Sequence, residues 1–195
     1  MLENYKKHVA ERAEQNIPPL PLDADQTSEL IELLKKDHQE SDFLLNLLKE
    51  RVPAGVDQAA YVKAAFLADI TTGKASSPYI TKIDAVKILG TMLGGYNIQP
   101  LIECLKDNEL AEAAAHVLSR TLLIFDAFNE IFELSKTNEH AKKVVEEWAN
   151  ATWFTEKTDI EEQIKLTVYK VTGEINTDDL SPAPDAWSRP DIPLH

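Results

Sequence analysis

Apolar side chains recur every three or four residues along most of this chain, and that period stops near residue 160. Such a pattern commits the first part to amphipathic helices whose apolar stripes must cover one another. In NIQPLIECLKD, Ile98, Leu101, Ile102 and Leu105 share one helical face. Leu110, Ala113, Ala114, Val117 and Leu118 form the next stripe, after Asn108 as an N-cap. Ile124, Phe128, Ile131 and Phe132 follow, and then Ala141, Val144, Val145, Trp148 and Ala149. Earlier helices are expected over 2–16, 26–37, 42–51, 58–72 and 82–92. Asp25, Ser41, Asp57 and Thr81 each offer a short side-chain oxygen to the free N–H groups of a first turn, and Gly73 is a helix stop.

Two of these segments echo each other. ELIELLKKD (Glu29 to Asp37) and PLIECLKDN (Pro100 to Asn108) align without a gap and share Leu, Ile, Glu, Leu and Lys. Their offset of about 70 residues is roughly two units of the HEAT or armadillo length. PLIECLKDNELAEAAAHVLS also resembles one HEAT repeat: a helix opening near Pro100, a tight Asp107-Asn108 turn, then an Ala-rich helix. The expected fold is therefore mainly α, a HEAT-like solenoid of paired antiparallel helices over residues 1–160, with a plain helical bundle as the alternative.

Beyond 160 the period changes to two. Ile164, Leu166 and Val168 alternate with Lys165, Thr167 and Tyr169, which reads as one β-strand ending at Thr172-Gly173. A lone strand leaves unpaired edges, so residues 161–195 read as the first piece of a second domain. In NTDDLSPAPDAWSRPDIPLH, four prolines exclude a long helix, while Leu180, Ala186, Trp187, Ile192 and Leu194 are too apolar for a solvated tail.

Charge and composition exclude several classes. The formal net charge of -13 repels a phosphate backbone, and Lys6-Lys7, Lys35-Lys36 and Lys142-Lys143 are isolated pairs, so RNA binding by this chain is disfavoured. One thiol, Cys104, cannot hold an iron–sulfur cluster, and the histidines at 8, 38, 116, 140 and 195 lack zinc-site spacing. Cys104 lies on the apolar side of its helix and reads as packing. No apolar run is long enough to span a membrane, and MLENYKKHVAERAEQN lacks the apolar core of a signal peptide; a cytoplasmic location is expected. Asp178-Asp179 suits a metal or an acid–base pair, yet aspartates more commonly brace turns. Ser181 and Ser188 have no histidine at a nucleophile-motif spacing. Arg189, the one cation among Asp178, Asp179, Asp185 and Asp191, suits two-pronged recognition of a carboxylate or phosphate, or simply pairs with a neighbouring aspartate.

VTGEINTDDLSPAPDAWSRPDIPLH closely resembles the start of the swivel domain in the bacterial aconitase B family. MLENYKKHVAERA, VPAGVDQAAYVKAAFLA, LGTMLGGYNIQPLI and LSRTLLIFDAF resemble that family's N-terminal HEAT-like domain. The resemblance implies the N-terminal part of a longer hydro-lyase of the tricarboxylic acid cycle. That enzyme interconverts citrate and isocitrate through cis-aconitate, with 2-methylisocitrate dehydratase activity also expected. It further implies a 4Fe-4S cluster and a serine base located beyond His195, so this chain alone is expected to be inactive and to bind no cluster. By its place in SRPD, Arg189 matches the swivel-domain arginine that contacts substrate carboxylates. The helical unit is implied to serve protein association, foremost a homodimer, with a weak link of the longer protein to RNA. The competing reading is a self-sufficient helical-repeat scaffold with an appended binding peptide.

Overall fold

The computed structural model describes residues 1–15, 19–121, 124 and 127–156, together with the single positions 163, 165 and 173. The strand expected at 164–168 and the loop carrying Arg189 lie outside the described residues. Among the described residues ten α-helices run in order: α1 (Leu2–Glu14), α2 (Ala24–Leu34), α3 (Ser41–Asn46), α4 (Gln58–Thr72), α5 (Lys82–Leu89), α6 (Ile98–Cys104), α7 (Ala111–Leu118), α8 (Phe128–Ser135), α9 (Glu139–Ala149) and α10 (Thr152–Thr155). The described part is thus mainly α, as the apolar period requires.

Local chemistry sets several helix ends, with side-chain caps on α2, α4, α5 and α9. Asp57 caps α4 by accepting from Ala60 N, and Gly73 ends it with a left-handed φ of 76°, a conformation that costs a side-chain-bearing residue more. At α5, Thr81 accepts from Asp84 N while Asp84 accepts from Thr81 N, so two otherwise orphan donors are satisfied. Two expected caps move. The cap of α2 is Asp23, not Asp25, because Gln26 sits three residues on and closes a reciprocal box with it. Asn108 is likewise displaced: Asp107 Oδ1 accepts from Glu109 N at 2.8 Å and Leu110 N at 3.2 Å, and no side chain caps α7 from its own N-cap position. Ser41 is the first residue of α3, behind Glu40, rather than its cap.

Packing proceeds from each helix to its neighbours in the stack: α2 on α4, α4 on α5, α5 on α7, and α7 on α9, with α6 and α8 packed alongside. This neighbour-to-neighbour order is the packing of a helical repeat. The sequence echo is also a structural one. Leu30, Ile31 and Leu34 of α2 are buried, as are their counterparts Leu101, Ile102 and Leu105. Each segment carries the same Glu–Lys pair one turn apart, Glu32–Lys35 at 2.6 Å and Glu103–Lys106 at 2.8 Å. These pairs are solvent-exposed and contribute little stability; the shared burial matters more.

The helix expected over 42–51 departs from regularity. After Asn46 the chain opens into a π-helical turn, Leu47–Arg51, whose wider spacing loosens the backbone ladder. Lys63, fully buried in α4, points its ammonium toward this turn and donates to Lys49 O at 3.4 Å. A cation at the carbonyl end of a helix meets the negative end of its dipole, which helps offset burial.

Replacing Thr81 with alanine is expected to cost about 1 kcal/mol through loss of the cap. The Thr81 hydroxyl, then its backbone N–H, hold the Asp84 carboxyl below the usual 3.8. A carboxyl lowered on folding stabilises above its unfolded value and loses that contribution as pH falls through the folded one. Urea titrations should therefore show the Thr81→Ala deficit largest near neutrality and shrinking below pH 3.8.

Candidate functional site

Cys104 closes α6 and is 3% exposed, inside the core as its helical position implied. Burial, opposed by a Thr71 hydrogen bond and reinforced by Asp107 and Glu103, pushes its thiol upward, so it stays protonated and unreactive. Beside it lies an open cleft of about 300 Å³ lined by Thr71, Pro100, Glu103, Asp107 and Leu110 among others. Its carboxylates are already engaged: Asp107 caps the α7 turn and Glu103 pairs with Lys106. Among the described residues, no group of three or more His, Cys, Asp and Glu side chains stands together as a metal site.

A different surface is built with more care. The VPAGVD loop before α4 and the MLGGYN loop before α6 are locked together by backbone: Leu93 N and Gly94 N both donate to Ala54 O, at 2.8 and 3.2 Å. The loops approach so closely that a Cβ at Gly94 would lie 1.9 Å from Gly55 O. Tyr96 donates its hydroxyl hydrogen to Val56 O at 2.9 Å and sets its ring edge-on to Tyr61, with centroids 5.4 Å apart. Beneath them Asn97, fully buried, donates to Leu89 O and Met92 O, both at 2.9 Å, tying the loop to the end of α5.

On this fixed base stand Val56 at 73% exposure, Leu93 at 56% and Tyr61 at 54%. These side chains carry no charge, so the surface suits contact with another apolar surface rather than reaction. That the two loops meet is not visible from helical periodicity, since about 40 residues separate Ala54 from Leu93 and Gly94. The signal was present in paired glycines, Gly55 and Gly94, within two motifs that each precede a helix. Lys63 was missed too, although Ala59, Ala60 and Leu67, three or four residues away on the same helix, mark its face as apolar.

Stacked helices joined by short, backbone-locked loops define a helical-repeat module. Comparison with known proteins makes the assignment specific. Residues 4–154 match the family model for the aconitate B N-terminal domain, and residues 166–195 match the model for the aconitate hydratase 2 N-terminus. The chain belongs to the aconitate hydratase B family and corresponds to its N-terminal part. It is 59% identical to aconitate hydratase B of Escherichia coli K12, 57% to that of Synechocystis and 50% to that of Helicobacter pylori. Each alignment takes in 100% of this chain but only 23% of the relative, so the chain spans about a quarter of the curated relatives it matches. Arg189, the expected substrate contact, falls within the second matched span and outside the described residues. No helix among the described residues is long and apolar enough to cross a membrane.

Replacing Gly94 with alanine forces the two loops apart, because the obstruction is backbone rather than a movable side chain. The expected cost is about 2–3 kcal/mol, read as a lower thermal midpoint together with faster amide exchange at Leu93 and Gly94.

Proposed function

We propose that this chain is the N-terminal region of an aconitate hydratase acting in the cytoplasm. In this reading residues 1–160 form an association module, and residues 161–195 open the substrate-binding swivel domain. The observation that carries it is the ordered pair of family matches, 4–154 then 166–195, with SRPD inside the second. The longer protein interconverts citrate and isocitrate, and acts on 2-methylisocitrate-type substrates as well.

Arg189 is the contribution of this chain to that site. Its planar guanidinium presents parallel N–H donors to the two oxygens of a substrate carboxylate, which fixes orientation as well as charge. The 4Fe-4S cluster of such an enzyme supplies Lewis-acid chemistry when bound. The described residues do not fit it: they offer a single buried thiol and no metal-sized donor group. In this reading its ligands and the serine base belong to the remainder of the longer protein.

In the full-length enzyme, Arg189→Lys is expected to lower kcat/KM about a hundredfold, roughly 3 kcal/mol, while leaving helix content unchanged. Unaltered kinetics would remove the assigned role.

The helical module is assigned self-association into a homodimer through Val56, Leu93 and Tyr61, with RNA contact disfavoured by the charge of -13. Loops already held rigid lose little entropy on docking, which favours them as a contact. Light scattering of Val56→Asp with Leu93→Asp should show a monomer at concentrations where the parent chain pairs. A parent chain that is monomeric throughout would contradict the assignment.

A further inference from the structure

The last helical pair leaves aromatic surface uncovered. The sequence places Phe128 and Phe132 in an apolar stripe with Ile131; only Ile131 is buried, while Phe128 and Phe132 are 44% and 43% exposed. They stack on each other with centroids 6.1 Å apart, and Phe128 also stacks on Trp148 of α9 at 6.0 Å. Trp148 is anchored from behind, donating its indole N–H to Leu118 O at 3.0 Å, so the stack is held in place. One turn beyond α9, Trp153 and Phe154 on α10 pair edge-on at 5.6 Å and are 42% and 70% exposed. In the repeat architecture each inner helix is covered by the next unit, and α8 and α10 have no next unit among the described residues.

We infer that the aromatic surface of α8 and α10 is the docking site for residues 164–194 of the same chain. The connection makes this occupant close at hand: α10 ends at Thr155, and only eight residues, 156–163, lie between it and Ile164. Eight extended residues reach about 27 Å, several times the 8–10 Å between packed helices. A tether of that length presents its segment at roughly millimolar effective concentration. The tethered segment also carries what the surface lacks. Ile164, Leu166, Val168, Leu180, Trp187, Ile192 and Leu194 need apolar cover, and the exposed phenylalanines and tryptophan supply it.

The test uses the 195-residue chain with the photoreactive residue p-benzoylphenylalanine placed in turn at Phe132, Phe154 and Val56. Irradiation from the first two positions is expected to give intramolecular adducts within 164–195, in the monomer band, and from Val56 none there. Adducts joining two chains from Phe132 or Phe154 would make a second copy the occupant and overturn the inference. So would adducts to 164–195 from all three positions alike, or from none. In parallel, Phe128→Glu with Phe132→Glu should speed amide exchange across 164–194 about tenfold, as expected for loss of a buried aromatic anchor, while α4 keeps its protection. Unchanged exchange in 164–194 would likewise overturn it.

Discussion

Helix α4 is the member on which the stack depends. Ala59, Ala60, Lys63, Ala64, Phe66, Leu67, Ile70 and Thr71 are all buried on it, so α4 is covered over more of its circumference than a surface helix is. Three of these are alanines, which let neighbouring backbones approach and bring α2 and α5 within packing distance of the same helix. Its start and its stop are both fixed locally, by Asp57 and Gly73. The two contact-bearing loops depend on it in turn: VPAGVD leads directly into its first turn, and Tyr61 on its exposed side braces Tyr96. Lys63 belongs to the same arrangement, since an ammonium on so buried a helix requires the carbonyl end of the π-helical turn to receive it.

What could be read from the sequence follows the range of the interaction responsible. Asp57, Thr81 and Gly73 act within four residues of themselves, and the sequence places them correctly. Asp23 in place of Asp25, and Asp107 in place of Asn108, are choices between neighbouring cap residues, decided by a partner three residues on or by the direction of the turn. The repeat was legible because it rests on buried leucines at fixed spacing, Leu30 and Leu34 matched by Leu101 and Leu105. The π-helical turn, the buried Lys63 and the meeting of the glycine loops were not legible, since each depends on a segment distant in the chain. The stripe of α8 failed for the same reason: periodicity finds an apolar face but says nothing about whether another element covers it.

For function, the physical division within the chain matters more than any single side chain. The helical part carries small-residue packing and exposed apolar side chains, and its thiol, Cys104, is buried and protonated. Charged residues crowd the sequence after residue 176, where Arg189 stands among Asp178, Asp179, Asp185 and Asp191. The family's curated members are about four times as long, and this chain matches their N-terminal part. At the end of the described helices, Phe128, Phe132, Trp153 and Phe154 stay exposed.

The division of labour is tested most directly by hydrogen exchange on the full-length enzyme with and without a tricarboxylate substrate. Slowed exchange is expected around Trp187 to Asp191, with none of comparable size in α2 to α7. Protection centred instead on the cleft between α4 and α6, with the segment around Arg189 unaffected, would contradict it.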